Sequence, residues 1–322
     1  NYKQINVRII PPNFKIKIDE FRKPSAQKIQ YLLTLPQIMK NLRNFKPDIL
    51  HAHYSSSYGL LGSLCGFKPF FLSVWGSDIQ HFPYQGKIPR LFTKFVISKP
   101  DIICSTSISM KETIQNEYKR DDVQVIPFGI DTEQFRPALK DKEKFIVGTI
   151  KSIESHNGID CLLDAADILI NKLKKDINFI IVGSGSYEKT LKIKCKNLKL
   201  NDKVDFVGYV NHDKVINYYN ILSIFVAVSE RESFGVSVLE AAACEIPSIT
   251  TNVGGLPEVN LNNKTGIIID SKSPIKLAES ILHLYNNKQK RDELGLGARK
   301  RVIKEFSWKK SVDKMIDLYE KY

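Results

Sequence analysis

The chain has 322 residues, 43% of them hydrophobic, with 48 Lys and Arg against 35 Asp and Glu for a net charge of +13. That length accommodates two ordinary domains with separate cores, and no apolar run reaches the ~18 residues that argue for a membrane span. Five scattered cysteines (Cys65, Cys104, Cys161, Cys195, Cys244) without a C-x-x-C pair exclude a disulfide scaffold and a zinc ribbon, and point to reduced thiols in the cytoplasm.

Strand-like apolar runs alternate with longer amphipathic stretches along the whole chain. In order, the pattern predicts strands at 5–10, 48–53, 69–75, 101–105 and 123–126, with helices at 25–44, 55–65, 88–97 and 107–118 between them. The rhythm resumes with strands at 145–150, 178–182, 204–207, 223–229, 248–251 and 266–269. Such alternation predicts an α/β protein of two doubly wound, Rossmann-like domains, because nearly continuous Val, Ile, Leu and Phe runs suit strands covered on both faces. The polar, proline-bearing stretch 136–142 marks the boundary, which divides the chain into domains over 1–137 and 138–307. The tail reads as a last helix, 308–322, opened by Ser307 as N-cap.

The charge is uneven. Residues 1–137 hold 19 Lys and Arg against 11 Asp and Glu. A basic half suits an anionic membrane surface or a phosphorylated acceptor, and equally a plain solvated surface. Nucleic acid is not an expected partner, since no recognition motif or basic block with interleaved aromatics occurs. Lys87 to Phe95 is a basic amphipathic segment that suits a membrane surface.

One junction stands out chemically. After the apolar run 221–228 comes Ser229-Glu230-Arg231-Glu232-Ser233-Phe234-Gly235-Val236, which leads into a helix carrying Glu240. Glu232 belongs to the loop and Glu240 to the helix about a turn and a half in. Between them the N–H groups from Phe234 to Ser237 form the free first turn of a helix, a seat for phosphate. Ordered motifs accompany it: Asp48 to Tyr54, Ser73-Val74-Trp75-Gly76-Ser77-Asp78, Ile126 to Asp131, Val147-Gly148-Thr149, Gly183-Ser184-Gly185, Gly208-Tyr209, and Gly254-Gly255-Leu256-Pro257-Glu258.

The ordered series resembles the retaining glycosyltransferases of family 4, also called glycosyl transferases group 1, which have the GT-B fold. That resemblance implies transfer of a sugar from a nucleotide-sugar donor, a UDP-sugar above all, to a hydroxyl of a glycan or lipid-linked acceptor, in surface glycan or polysaccharide synthesis. It implies no cofactor and no metal, and the chain has no D-x-D. It also implies an N-terminal strand, loop and helix ahead of 5–10, so the chain reads as truncated there, with the last helix crossing back to complete the first domain. Of the acids, Glu232 is expected beside the transferred sugar and Glu240 on the ribose. Ser233, Phe234, Gly235 and Val236 are expected to hold the diphosphate. Gly183 and Gly185 would let backbone approach the donor, and Gly208 and Tyr209 would border the base.

The sequence departs from the family at three places. Thr149 stands where an arginine is usual, which leaves Lys151 for the diphosphate. His156 or Asn157 takes a usual lysine position. Trp75 replaces a histidine that meets the donor sugar, so Trp75 is expected to stack on a sugar and Asp78 to bond hydroxyls, with Glu232 as the third catalytic candidate. His53 either substitutes for that histidine on the acceptor side or packs at a strand end. These departures keep open a non-catalytic nucleotide- or glycan-binding protein, and the fold leaves room for a nucleotide-sugar epimerase.

Overall fold

The computed structural model describes residues 31–138, 144–270 and 272–322. The expected strand 5–10, the start of the expected helix 25–44 and residues 139–142 of the expected linker lie outside them.

In the first domain α1 (Leu35–Phe45), β1 (Leu50–His53), a π-type turn (Tyr54–Gly59) running into α2 (Leu60–Cys65), and β2 (Phe70–Ser73) come first. The helix α1 starts one residue before Pro36, whose missing N–H is harmless only in a first turn. Then follow α3 (Ser77–Gln80), a 3-10 turn (Phe82–Gln85), α4 (Lys87–Ile97), β3 (Ile102–Ser105), α5 (Ile108–Tyr118) and β4 (Val123–Val125). The four strands form one parallel sheet in the order β1-β2-β3-β4. One face packs Phe70, Leu72 and Ile103 against Val96 and Ile97 of α4 and Met110 and Ile114 of α5.

The second domain runs β5 (Ile146–Ile150), α6 (Ile159–Asp167), β6 (Asn178–Val182), α7 (Glu188–Asn197), β7 (Val204–Gly208), α8 (His212–Ile221) and β8 (Ile224–Ala227). It continues with α9 (Val236–Ala243), β9 (Ser248–Thr251), α10 (Leu256–Val259), β10 (Gly266–Ile269), α11 (Pro274–Asn286), α12 (Lys288–Glu305) and α13 (Trp308–Tyr319). Its six strands are all parallel, in the order β10-β9-β8-β5-β6-β7. This is the doubly wound order, and it reverses between β5 and β8. Alternate residues feed opposite cores: Phe179 and Ile181 pack with Leu163 and Ile281, while Ile180 and Val182 pack with Leu239 and Phe306. Among the described residues no helix is long and apolar enough to cross a membrane.

One boundary reading changes. By packing, the chain enters the second domain before the polar stretch, because Ile130 and Phe135 are buried in its core. The Asn220 side chain fixes the crossover, accepting from Ala138 N at 2.9 Å and donating to the Arg136 carbonyl at 3.1 Å. Ser307 does occupy the N-cap position of α13, but its hydroxyl makes no capping bond. Its backbone instead bridges to Ile130, with Trp308 N donating to the Ile130 carbonyl at 2.9 Å.

The last helix returns to the first sheet. Leu318 packs with Phe71, Ile102 and Cys104 on the face away from α4. Tyr319 shares a hydrogen bond with His51 Nδ1, and His51 Nε2 shares another with Ser73 Oγ at 2.8 Å. Burial, helped by the neighbouring His53, lowers the His51 pKa from 6.5 to about 3.

The unfolded chain therefore binds a proton at His51 at a higher pH than the folded chain does. The stability contributed by the neutral ring is whole above pH 6.5 and is lost as pH falls toward 3. His53, also lowered by burial, acts in the same direction. Urea unfolding is expected to lose up to ~1.4 kcal/mol per pH unit below about pH 6. His51→Gln should flatten that dependence in part, and an unchanged slope in the variant would remove His51 as its source.

Candidate functional site

The strand order reverses at β5 and β8, so the loops leaving their carboxyl ends diverge to opposite faces and a crevice opens between them. Two adjoining cavities occupy it. The larger, of about 700 Å³, is lined from the second domain by Lys151, His156, Arg231, Glu232, Gly235 and Glu240. The first domain closes it with Ser77, Gln80 and His81, together with Phe128. The smaller, of about 400 Å³, shares Lys151 and adds Gly183, Gly185, Tyr209 and Val210. Both volumes suit a small-molecule site.

The charged residues in the larger cavity are paired according to their burial. Lys151, directly after β5, donates to Ser229 Oγ at 2.6 Å and to Glu232 Oε2 at 3.1 Å. Its side chain is nearly buried, so pairing offsets the cost of desolvating the ammonium. Glu240, on the first turns of α9, is buried too. One of its oxygens accepts the Tyr219 hydroxyl at 2.7 Å, and the other lies 2.9 Å from His212 Nε2. Burial, with the Glu240 charge second, pushes the Tyr219 pKa well up and keeps its proton on the phenol. Protein donors thus already hold the Glu240 carboxylate, which keeps further lone pairs free, and one of those partners, His212, is mostly exposed.

Arg231 is different. It is exposed, lines the cavity, and enters no ion pair or side-chain hydrogen bond among the described residues. Its charge reaches His156, whose pKa is lowered by burial first, then by Lys151 and Arg231. Thr149 is buried inside β5 and supplies nothing to the cavity. The cavity therefore includes a cation in the acidic loop that sequence reasoning passed over. His156 and Asn157 both line the cavity; the His156 side chain is exposed there, whereas Asn157 is buried, its amide donating to the Ser152 carbonyl at 2.7 Å and to Ser152 Oγ at 3.1 Å.

Ahead of α9, the N–H groups of Phe234, Gly235, Val236 and Ser237 have no acceptor among the described residues. Their loop is pressed against the Gly254-Gly255 turn: Gly255 N donates to the Glu232 carbonyl at 3.1 Å, and a Cβ on Gly254 would stand 1.8 Å from that same oxygen. Gly183 and Gly185 serve the same kind of contact. Side chains there would strike the Lys151 and Ile153 carbonyls, at 2.0 and 2.2 Å, so these glycines let two protein loops meet while also edging the smaller cavity. The Gly208 carbonyl accepts from Gly183 N at 2.8 Å, and Gly208 turns with φ +82°, leaving Tyr209 exposed at the rim.

The first-domain expectations fare differently. Asp78 is fully buried, and its carboxylate accepts from the N–H groups of Ser55, Trp75 and Gly76 at 2.8, 3.1 and 2.9 Å. Burial raises its pKa, against the pull of those amides. It ties two loops together and does not meet a sugar hydroxyl. Trp75 does not line the cavity; its ring meets Phe128 edge-on at 5.7 Å, and Phe128 meets Phe234 at 6.1 Å. His53 stacks on His51 at 4.2 Å and tilts against Trp75 at 5.7 Å, set back from the cavity as well. Sequence reasoning missed Phe128, Gln80 and His81, which reach the cavity only because the two domains face each other.

Glu258 also reaches across to the first domain. Its two oxygens accept from Ile108 N and Ser109 N at 2.8 and 2.9 Å, completing the α5 first turn that Ser107 Oγ caps through Met110 N at 3.1 Å. A carboxylate at the positive end of a helix is favourably placed.

Comparison with known proteins agrees with this architecture. The family of glycosyl transferases group 1 matches residues 130–301, and a glycosyl transferase 4-like family matches residues 8–107. An uncharacterized glycosyltransferase of Methanocaldococcus jannaschii is 30% identical over 298 residues, 91% of this chain and 81% of that protein. The capsular polysaccharide biosynthesis glycosyltransferase CapM of Staphylococcus aureus is 27% identical over 314 residues, covering 88% and 80%. Among solved structures, Anabaena HepE in complex with UDP superposes with a TM-score of 0.79 at 17% identity, covering 89% of this chain and 82% of that one. Sucrose-phosphate synthase of Thermosynechococcus elongatus gives 0.80 at 20% identity, over 93% and 80%. These structures share the GT-B fold of two facing Rossmann-like domains.

Two glycine variants separate loop packing from turn strain. Gly254→Ala sets a methyl into the Glu232 carbonyl at φ +51° and should cost ~2–3 kcal/mol in denaturant melts. Gly208→Ala meets no atom within 4 Å and bears only the left-handed strain, ~1 kcal/mol. Equal losses would mean that the Gly254 contact relaxes freely.

Proposed function

The chain belongs to the glycosyl transferases group 1 family and is a glycosyltransferase; on that footing we propose that it moves a sugar, with retention, from a UDP-sugar to a hydroxyl of a glycan or lipid-linked acceptor. The observation that carries the proposal is one cavity holding the acid pair Glu232 and Glu240, the unbonded amides between them, and two cations, Lys151 and Arg231. The diphosphate sits on the amides and the cations, where the helix dipole adds to their pull. Its charge draws the Lys151 ammonium, which frees Glu232 to face the anomeric carbon as positive charge develops there. Glu240 holds the ribose, and the smaller cavity takes the base. HepE is a fold neighbour described with UDP, and separately with UDP-glucose, and CapM is a relative named for capsular polysaccharide synthesis; both favour the donor and a surface-glycan product. Nucleotide-sugar chemistry and free cysteines fit the cytoplasm.

Calorimetry with UDP, GDP and ADP, beside a transfer assay with added acceptor, tests the reading. UDP alone should bind, and Arg231→Ala should weaken it about tenfold, as loss of a charged hydrogen bond does. Glu232→Gln should lower transfer about 100-fold or more while leaving UDP affinity nearly unchanged. Binding of GDP in place of UDP would overturn the donor, turnover of donor without glycoside formation would favour an epimerase, and full transfer by Glu232→Gln would remove that residue from the chemistry.

A further inference from the structure

The helix α4 has two apolar faces, and the core uses only one. Thr93, Val96 and Ile97 are buried, with Phe92 partly buried beside them. On the other side Ile88 is 81% exposed, Leu91 68% and Phe95 40%. These stand at i, i+3 and i+7, so they form one stripe along the helix. Single exposed apolar residues are ordinary, but a continuous stripe marks an interaction surface.

The charges beside the stripe identify what covers it. Lys87, Arg90 and Lys94 are exposed along one edge, and Lys99 lies over the Phe95 ring at 4.9 Å. No acid occurs from Ile79 to Pro100. A second copy packed face to face would set these cations against their own images, as a two-fold contact requires. The chain's own residues 1–30 are unsuitable as a cover too, with seven Lys and Arg against two acids.

We propose that α4 docks on an anionic lipid bilayer, with Ile88, Leu91 and Phe95 in the acyl boundary and Lys87, Arg90, Lys94 and Lys99 among the headgroups. The position gives the contact a use. His81 lines the larger cavity, the 3-10 turn Phe82–Gln85 follows it, and Phe82 packs edge-on against Phe92 of α4 at 5.7 Å. A bilayer under α4 therefore lies at the first-domain rim of the cleft, where a lipid-linked hydroxyl would enter. That last step rests on the transferase reading above; the docking itself does not.

The test is co-sedimentation of the whole chain with vesicles of phosphatidylcholine alone or mixed equally with phosphatidylglycerol, at low and high salt. Pelleting is expected with the anionic vesicles only, and weaker at high salt. Ile88→Ser with Leu91→Ser, and separately Lys87→Gln with Arg90→Gln, should each lower vesicle affinity about tenfold or more. Circular dichroism reports that each variant is folded, and calorimetric UDP binding reports the donor site independently of the lipid result. Failure of the folded parent to pellet, equal binding to neutral vesicles, or pelleting indifferent to both variants would overturn the proposal. So would a dimer in sedimentation velocity that the Ile88/Leu91 variant dissociates without any vesicle binding.

Discussion

The reversal of strand order between β5 and β8 is the constraint from which the functional cleft follows. Parallel strands joined by right-handed crossovers must send their connecting helices to opposite faces once the order turns back. The two strands pair through only Val147–Ile224 and Gly148–Phe225. Beyond that short contact the loops part, and Lys151 and Ser229 leave the sheet side by side at the same end. Their hydrogen bond of 2.6 Å is the first link across the gap. Everything chemical in the second domain, from Glu232 to the open turn of α9, hangs on the loop that starts there.

Across the cleft, the first domain contributes shape more than charge. Its carboxylate, Asp78, is consumed by three backbone amides. Its histidines at 51 and 53 are set back, and burial lowers the pKa of both. What reaches the cavity is a rim of Ser77, Gln80 and His81, fixed relative to the second domain by the Glu258 clasp and by α13. Because α13 belongs to the end of the chain yet packs on the first sheet, the domains are joined twice. The two crossings are hydrogen-bonded to each other near Ile130 and Ser307.

How legible all this is in the sequence depends on the range of the interactions. The strands of the second domain are readable because each is a run of apolar residues buried on both faces, and 178–182, 248–251 and 266–269 coincide with their predicted spans. The loop-helix junction at Glu232 is readable because its ingredients are consecutive. Asp78 is misread because its burial depends on Ser55, 23 residues away, wrapping over it. The partners of Glu240 are hidden for the same reason: Tyr219 and His212 reach it from one face of α8, 21 and 28 residues back. Phe128 and His81 cannot be placed at all without the mutual orientation of two domains.

The distribution of partners within the cleft follows one electrostatic rule. A charge taken out of water must be paired in the fold, whereas an exposed one need not be. Lys151 and Glu240 are buried and held. Exposed Glu230 is drawn off by Lys272, which also bonds Asp160 at 3.0 Å and so removes one negative charge from the loop's influence. Arg231, exposed between Glu230 and Glu232, is left with its guanidinium uncommitted. An anion entering the cavity gains this planar fork without breaking any contact, while its claim on Lys151 must compete with Ser229 and Glu232. With Thr149 buried in the strand, the cavity's exposed cation stands on the loop opposite, on the same segment that carries the acid Glu232.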